Sequence, residues 1–190
     1  MHRKPILIDL DEVVYPFIHT WDKWLKDEKG LGVDWDAFVW HYDLDLYLSN
    51  HVEKQPEFVS AAPGLDPQPI QEAVHALQLL SEDYPIMALT ARNSEDWHGA
   101  THDWIGRHLP FVKDIHFARH GRGEAATPKG VIADQLKAKA LIDDTAFWIE
   151  TLPSHIDGFV LKRPAPLASD EGAVSWDYIL NQLAAERKAA

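Results

Sequence analysis

Asp9 and Asp11 stand either side of a leucine where the short apolar run Pro5-Ile-Leu-Ile8 ends, and Asp143 and Asp144 close a second such run, Ala140-Leu-Ile142. Thr90, Ala91 and Arg92 close a third, Pro85-Ile-Met-Ala-Leu89, and Lys129 lies upstream of Asp143. Carboxylates can attack an electrophile, shuttle a proton or hold a hard cation. A hydroxyl, a backbone N–H and a lysine can offset charge developing on an anion. Any one of these aspartates could be only a helix cap or turn former, since Asp often fills those roles. The ordered set carries the weight. Four carboxylates in one crevice repel each other unless a cation or bound protons compensate them, and hard oxygens with no thiolate nearby suit Mg²⁺.

These side chains can meet only if the runs that carry them are neighbouring strands. The pattern predicts strands at about 5–10, 85–90, 111–118, 140–143 and 158–162, and helices at 70–81, 95–108, 129–137 and 174–187. Strands alternating with helices point to βαβ units and a doubly wound parallel sheet covered on both faces. In such folds the ligand lies beyond the carboxyl ends of the strands, where the acids sit. Residues 15–60 differ in kind, being aromatic and acidic, with helices expected at 17–29 and 34–50. A turn-rich stretch at 62–69 closes this excursion.

The composition narrows the choice of function. The chain has 190 residues, 46% of them apolar and 25% charged, an ordinary globular balance and enough length for one real core. A net charge of −12 argues against duplex nucleic acid as a partner. A phosphorylated small molecule remains open, because a metal ion can invert the charge locally. The absence of cysteine removes disulfides, thiolate metal sites and cysteine nucleophiles. No run of apolar residues is long enough for a membrane span, and the N-terminal apolar run meets Asp9 too early for a signal peptide. The expected location is therefore cytoplasmic. His98 and His102 have the spacing of two metal ligands on one helix face, but with no third ligand they read as a solvated face. The segment from Gly121 to Gly130 fails the Walker pattern, because Pro128 precedes Lys129 and Gly130 follows it.

The ordered acidic motifs resemble those of the haloacid dehalogenase (HAD) superfamily of phosphatases, and in particular its 5′(3′)-deoxyribonucleotidase branch. Ile6-Leu-Ile-Asp-Leu-Asp-Glu-Val-Val14 is similar to the first motif and Ala88-Leu-Thr-Ala-Arg92 to the second. Lys129-Gly-Val-Ile132 resembles the third motif and Ala140-Leu-Ile-Asp-Asp144 the fourth; Pro63-Gly64 and Ser175-Trp-Asp-Tyr-Ile-Leu180 are softer likenesses. The resemblance implies an α/β fold: a HAD-like, Rossmannoid three-layer α/β/α core formed by 1–14 and 63–190, with a small helical cap of the C1 type inserted after strand 1 at 15–62. It implies Asp9 as a nucleophile that forms an aspartyl-phosphate, and Asp11 as general acid and then base. Thr90 and the Ala91 N–H would hold phosphate oxygens, and Lys129 would offset charge. Mg²⁺ would be bound by Asp9, the Asp11 carbonyl, Asp144 and, through water, Asp143.

The expected activity is Mg²⁺-dependent hydrolysis of (deoxy)nucleoside 5′-monophosphates by a monomer or homodimer. Phe17 falls where that branch carries an aromatic that stacks on the base. Arg92 and Trp40 are further expected substrate contacts, and Trp21, Trp24 and Tyr42 could complete an apolar slot. Stacking of this kind is worth ~1–3 kcal/mol per base. A phosphatase of another small ester such as a sugar phosphate, and a non-catalytic binding protein, remain alternatives. Glu12 departs from the family, which commonly has Gly there. It would point to solvent, tune substrate choice or reduce activity, and a loop at a strand end favours the first.

Overall fold

Alternation along the central strands shows how the layers form. In β1 (Ile6–Ile8), Ile6 and Ile8 face one way and Leu7 the other, all fully buried. Ile6 and Ile8 share a cluster with Ala73, Ala76, Leu77, Trp104, Ile105, Ile179 and Leu183, whereas Leu7 packs with Ile132, Ala133, Trp148 and Ile156. Both faces of the sheet are therefore covered, which explains why its inner strands read as unbroken apolar runs.

The computed structural model describes residues 3–32, 51–92, 95–119, 127–165, 167 and 169–189. After β1 come α1 (Phe17–Lys29), α2 (Gln55–Ala61) and α3 (Gln71–Ser81). Then β2 (Ile86–Thr90), α4 (Glu95–His108), β3 (Val112–Phe117) and α5 (Lys129–Gln135) follow. The chain closes with β4 (Ala140–Asp143), α6 (Ala146–Glu150), β5 (Asp157–Val160) and α7 (Trp176–Ala189). The five strands form one parallel sheet in the order β3-β2-β1-β4-β5. Ile8 is in register with Ala88 on one side and Ile142 on the other, so the ends of β1, β2 and β4 lie side by side. No helix among the described residues is long and apolar enough to cross a membrane.

Helices α1 and α2 build a separate apolar cluster from Ile18, Trp21, Trp24, Leu25, Phe58 and Val59, joined by Trp97 of α4 and by Leu167. Trp21 meets Phe58 edge-on with ring centroids 4.8 Å apart. The expected helix at 34–50, with Trp40 and Tyr42, lies outside the described residues. Two short helices, α2 and α6, were not legible in the sequence: α6 has only five residues, and the buried residues of α2, Phe58 and Val59, are adjacent and mark no helical period. The closing helix begins two residues later than the pattern predicts. Val174 instead bonds to β5 and its extension, its N–H donating to Val160 O at 2.8 Å, and the Ser175 hydroxyl caps the Tyr178 N–H.

Close packing of α5 against the end of α6 makes Gly130 irreplaceable. A Cβ at Gly130 would lie 2.3 Å from the Thr151 carbonyl oxygen, whereas one at Gly99 on α4 meets nothing within 4 Å. Gly130→Ala is expected to lose about 1–3 kcal/mol of stability in urea denaturation, and Gly99→Ala to gain roughly 0.5–1 kcal/mol.

Candidate active site

Asp9 emerges one residue beyond β1 and is tied to the neighbouring strand by its own N–H, which donates to Ile142 O at 2.9 Å. The chain then coils sharply. The N–H groups of Val14 and Tyr15 both reach Leu10 O, at 2.9 and 2.8 Å, which keeps Asp11 and Glu12 beside Asp9 rather than letting the chain run out from the sheet. Thr90 ends β2 and Asp143 ends β4, while Lys129 opens α5 directly after Pro128, a residue suited to a helix start.

The Lys129 side chain is wholly buried, with Nζ 2.8 Å from Asp9 Oδ1 and 2.6 Å from Asp143 Oδ2. Burial works against its ammonium, but the charges of Asp143 and Asp9 outweigh it and hold it protonated beyond the usual lysine range. Asp143 Oδ1 accepts from the Thr145 N–H at 3.1 Å and its hydroxyl at 2.8 Å. Asp144 Oδ2 accepts from Arg163 Nε at 2.7 Å. Asp11 accepts two hydrogen bonds from Arg92, 2.6 and 3.2 Å long. The guanidinium is also bonded to Thr101 at 2.9 Å and lies over the rings of Tyr15 and Trp97. The Thr90 hydroxyl is buried with no hydrogen-bond partner, a costly state that an anionic ligand would relieve.

Burial drives the Asp9 carboxyl well above the usual carboxylate range, with Lys129 opposing the shift and Asp143 adding to it. Asp144 is pushed up to about 6, by burial and then by Asp143, against the pull of Arg163. Carboxylate oxygens of Asp9, Asp143 and Asp144 lie within 4.8 Å of one another. Among the described residues, Asp9, Asp11, Glu12, Asp143 and Asp144 are met by the cations Lys129, Arg92 and Arg163, an excess of two negative charges when all are ionised. Three converging hard oxygens and a twofold charge deficit fit a divalent cation.

The fold thus brings together Asp9, Asp11, Thr90, Ala91, Arg92, Lys129, Asp143 and Asp144. The aromatic expectations fare differently. Trp21 and Trp24 are buried in the α1–α2 cluster, where their three-residue spacing marks core. Phe17 is half-buried with its ring near Trp21, Phe58 and Trp97, and Trp40 lies outside the described residues. Glu12 does not point to solvent: it is only 3% exposed. Of the two histidines, His102 is exposed as expected, whereas His98 is half-buried, its ring stacked on Phe117 and its Nε2 3.0 Å from Arg92 O. Arg163 escaped the sequence reading because it opens a proline-rich loop; its position just beyond β5, at the acid-bearing edge, was the available signal.

No family model matches the sequence, and no curated protein is significantly similar to it. Solved structures do match. The candidate HAD hydrolase YfnB of Bacillus subtilis, in a magnesium-bound form, superposes with a TM-score of 0.57 at 12% identity, over 96% of this chain and 99% of its own. A candidate beta-phosphoglucomutase from Thermotoga maritima gives 0.55 at 14% identity, over 96% and 99%. A haloacid dehalogenase-like hydrolase from Streptococcus pneumoniae gives 0.51 at 15% identity, over 84% and 85%. The chain has the haloacid dehalogenase-like fold.

Removing Lys129 strands two buried carboxylates. Lys129→Met is expected to lose about 3–5 kcal/mol in equilibrium denaturation, and the added change Asp143→Asn to restore part of that loss.

Proposed function

We propose that the protein is a Mg²⁺-dependent phosphomonoesterase acting through an aspartyl-phosphate. The observation that carries this reading is the buried Asp9–Lys129–Asp143 ion-paired cluster, set beside Asp144, Asp11 and the unpartnered Thr90 hydroxyl. The Asp9 carboxylate attacks phosphorus, the ester P–O bond breaks, and the leaving oxygen takes a proton from Asp11. Asp11 then takes a proton from water as the water attacks phosphorus, and the P–O bond to Asp9 breaks to release phosphate. Splitting the hydrolysis in this way lowers each barrier. Thr90 and the Ala91 N–H would hold phosphoryl oxygens, and the Lys129 ammonium would offset charge as it builds. Arg92, bonded twice to Asp11, would hold that carboxyl in place. Mg²⁺ would be held by Asp9, Asp144, the Asp11 carbonyl and, through water, Asp143; when bound it would neutralise charge on the phosphoryl oxygens.

The preferred substrate in this reading is a (deoxy)nucleoside 5′-monophosphate. In this reading the segment inserted at 15–62 serves as the cap to a core of 1–14 and 63–190, and Phe17, at the start of α1, would meet the leaving group. The support is the aromatic surroundings of that ring and the resemblance of the acidic motifs to the nucleotidase branch. Sugar phosphates are the competing substrates, and simple binding without turnover is the competing function.

Phosphate release from a panel of nucleoside monophosphates and sugar phosphates, with Mg²⁺ and with chelator, tests this. Wild type is expected to need Mg²⁺ and to favour the nucleotides, while Asp9→Asn falls by roughly 10³-fold or more. A folded wild type that releases phosphate from no member would overturn the reading. Mg²⁺ at a hundredfold over its Kd should raise unfolding stability by about 2.7 kcal/mol, and Asp144→Asn should abolish that gain.

A further inference from the structure

Glu12 occupies a backbone conformation that glycine adopts freely and other residues resist, with φ 58. Its side chain must therefore be held by something. Oε1 accepts the Ile18 N–H at 2.6 Å, across six residues, in a buried setting. That contact supplies what the start of α1 lacks. The residue before the helix is Pro16, which makes no side-chain cap bond, and the first turn contains no acid. The leading N–H groups of a helix have no partners within it, and a side-chain carboxyl oxygen can satisfy one of them. The same residue is joined by one peptide bond to Asp11, and its own N–H donates to Tyr15 O at 2.9 Å, closing the turn between Asp11 and α1.

We propose that Glu12 is a positioning residue: it latches the first turn of α1 to the loop bearing Asp9 and Asp11, and so sets the distance between Phe17 and the reacting carboxylates. The second half of this statement rests on the phosphatase reading, whereas the latch does not. A glycine at this position would ease the backbone but leave the helix start free. Glutamine keeps an oxygen for the Ile18 N–H and cannot ionise, which separates the hydrogen bond from any effect of the acid.

Amide hydrogen exchange across residues 17–20 of the full chain tests the latch, for wild type, Glu12→Gly, Glu12→Ala and Glu12→Gln. Exchange at Ile18 is expected to quicken roughly five- to tenfold in the Gly and Ala variants, the effect of losing one cap. The Gln variant should stay within about twofold of wild type by the same reasoning. Steady-state kinetics should show KM for the preferred nucleotide rising in Glu12→Gly, with kcat changed less than KM, and Gln restoring KM. Unaltered Ile18 exchange in Glu12→Gly, or a Gln variant that behaves as Gly does, would overturn the latch. If wild type has no turnover, the phosphatase reading fails and the exchange data still decide the latch. If the latch holds but KM does not move, the link to Phe17 is the part that falls.

Discussion

Lys129 lies out of reach of water with its ammonium between Asp9 and Asp143, and the rest of the site follows from the cost of that arrangement. Burying an ion is expensive unless its partners are close and their remaining lone pairs are satisfied. Each requirement is met by a different element: β1 brings Asp9, β4 brings Asp143, α5 brings Lys129, and Thr145 bonds the far oxygen of Asp143. Gly130, immediately after the lysine, lets α5 approach Thr151 closely enough to seat it. Packing and electrostatics are therefore one problem here, since a shift of α5 would separate the charges.

A second pair of cations secures the periphery. Arg92 grips Asp11 from a pocket walled by Tyr15 and Trp97, and Arg163 grips Asp144 from the loop after β5. Arginine suits both places because its planar fork fixes the orientation of a carboxylate as well as its charge. With every acid ionised negative charge would remain in excess, and burial answers part of it by raising the pKa of Asp9, of Asp144 and of Glu12, the last to about 8. A crevice of this kind favours a multivalent cation over a single proton, because one divalent ion meets several carboxylates at once.

Much of this was legible in the chain. Apolar runs that stop at Asp9, Thr90 and Asp143 state both that the strands are buried and where they end, and parallel topology places such ends on one edge. That reasoning needs only local hydrophobicity and the handedness of βαβ units, so it reached the strand order's consequence without knowing any contact. Lys129 was found in the same way, from its place ahead of the fourth strand. Fidelity dropped where a segment displays no helical period, as in α2 and α6, and where one turn decides a helix start, as at Ser175.

The direction of a side chain is a different kind of information. Glu12 reads as a loop residue free to face solvent, yet a positive φ turns its carboxylate inward to α1. The three-residue spacing of Trp21 and Trp24 reads as core more readily than as ligand contact, and Phe58 and Trp97, arriving from elsewhere in the chain, complete that core. Arg163 became part of the site through the path of a proline-rich loop. Residue type and spacing specified the strands, the acids at their ends and the chemistry those acids could support. Which charges pair, and which aromatic rings are buried, depended on contacts between residues far apart in the chain, whose energies do not exist until the layers have closed.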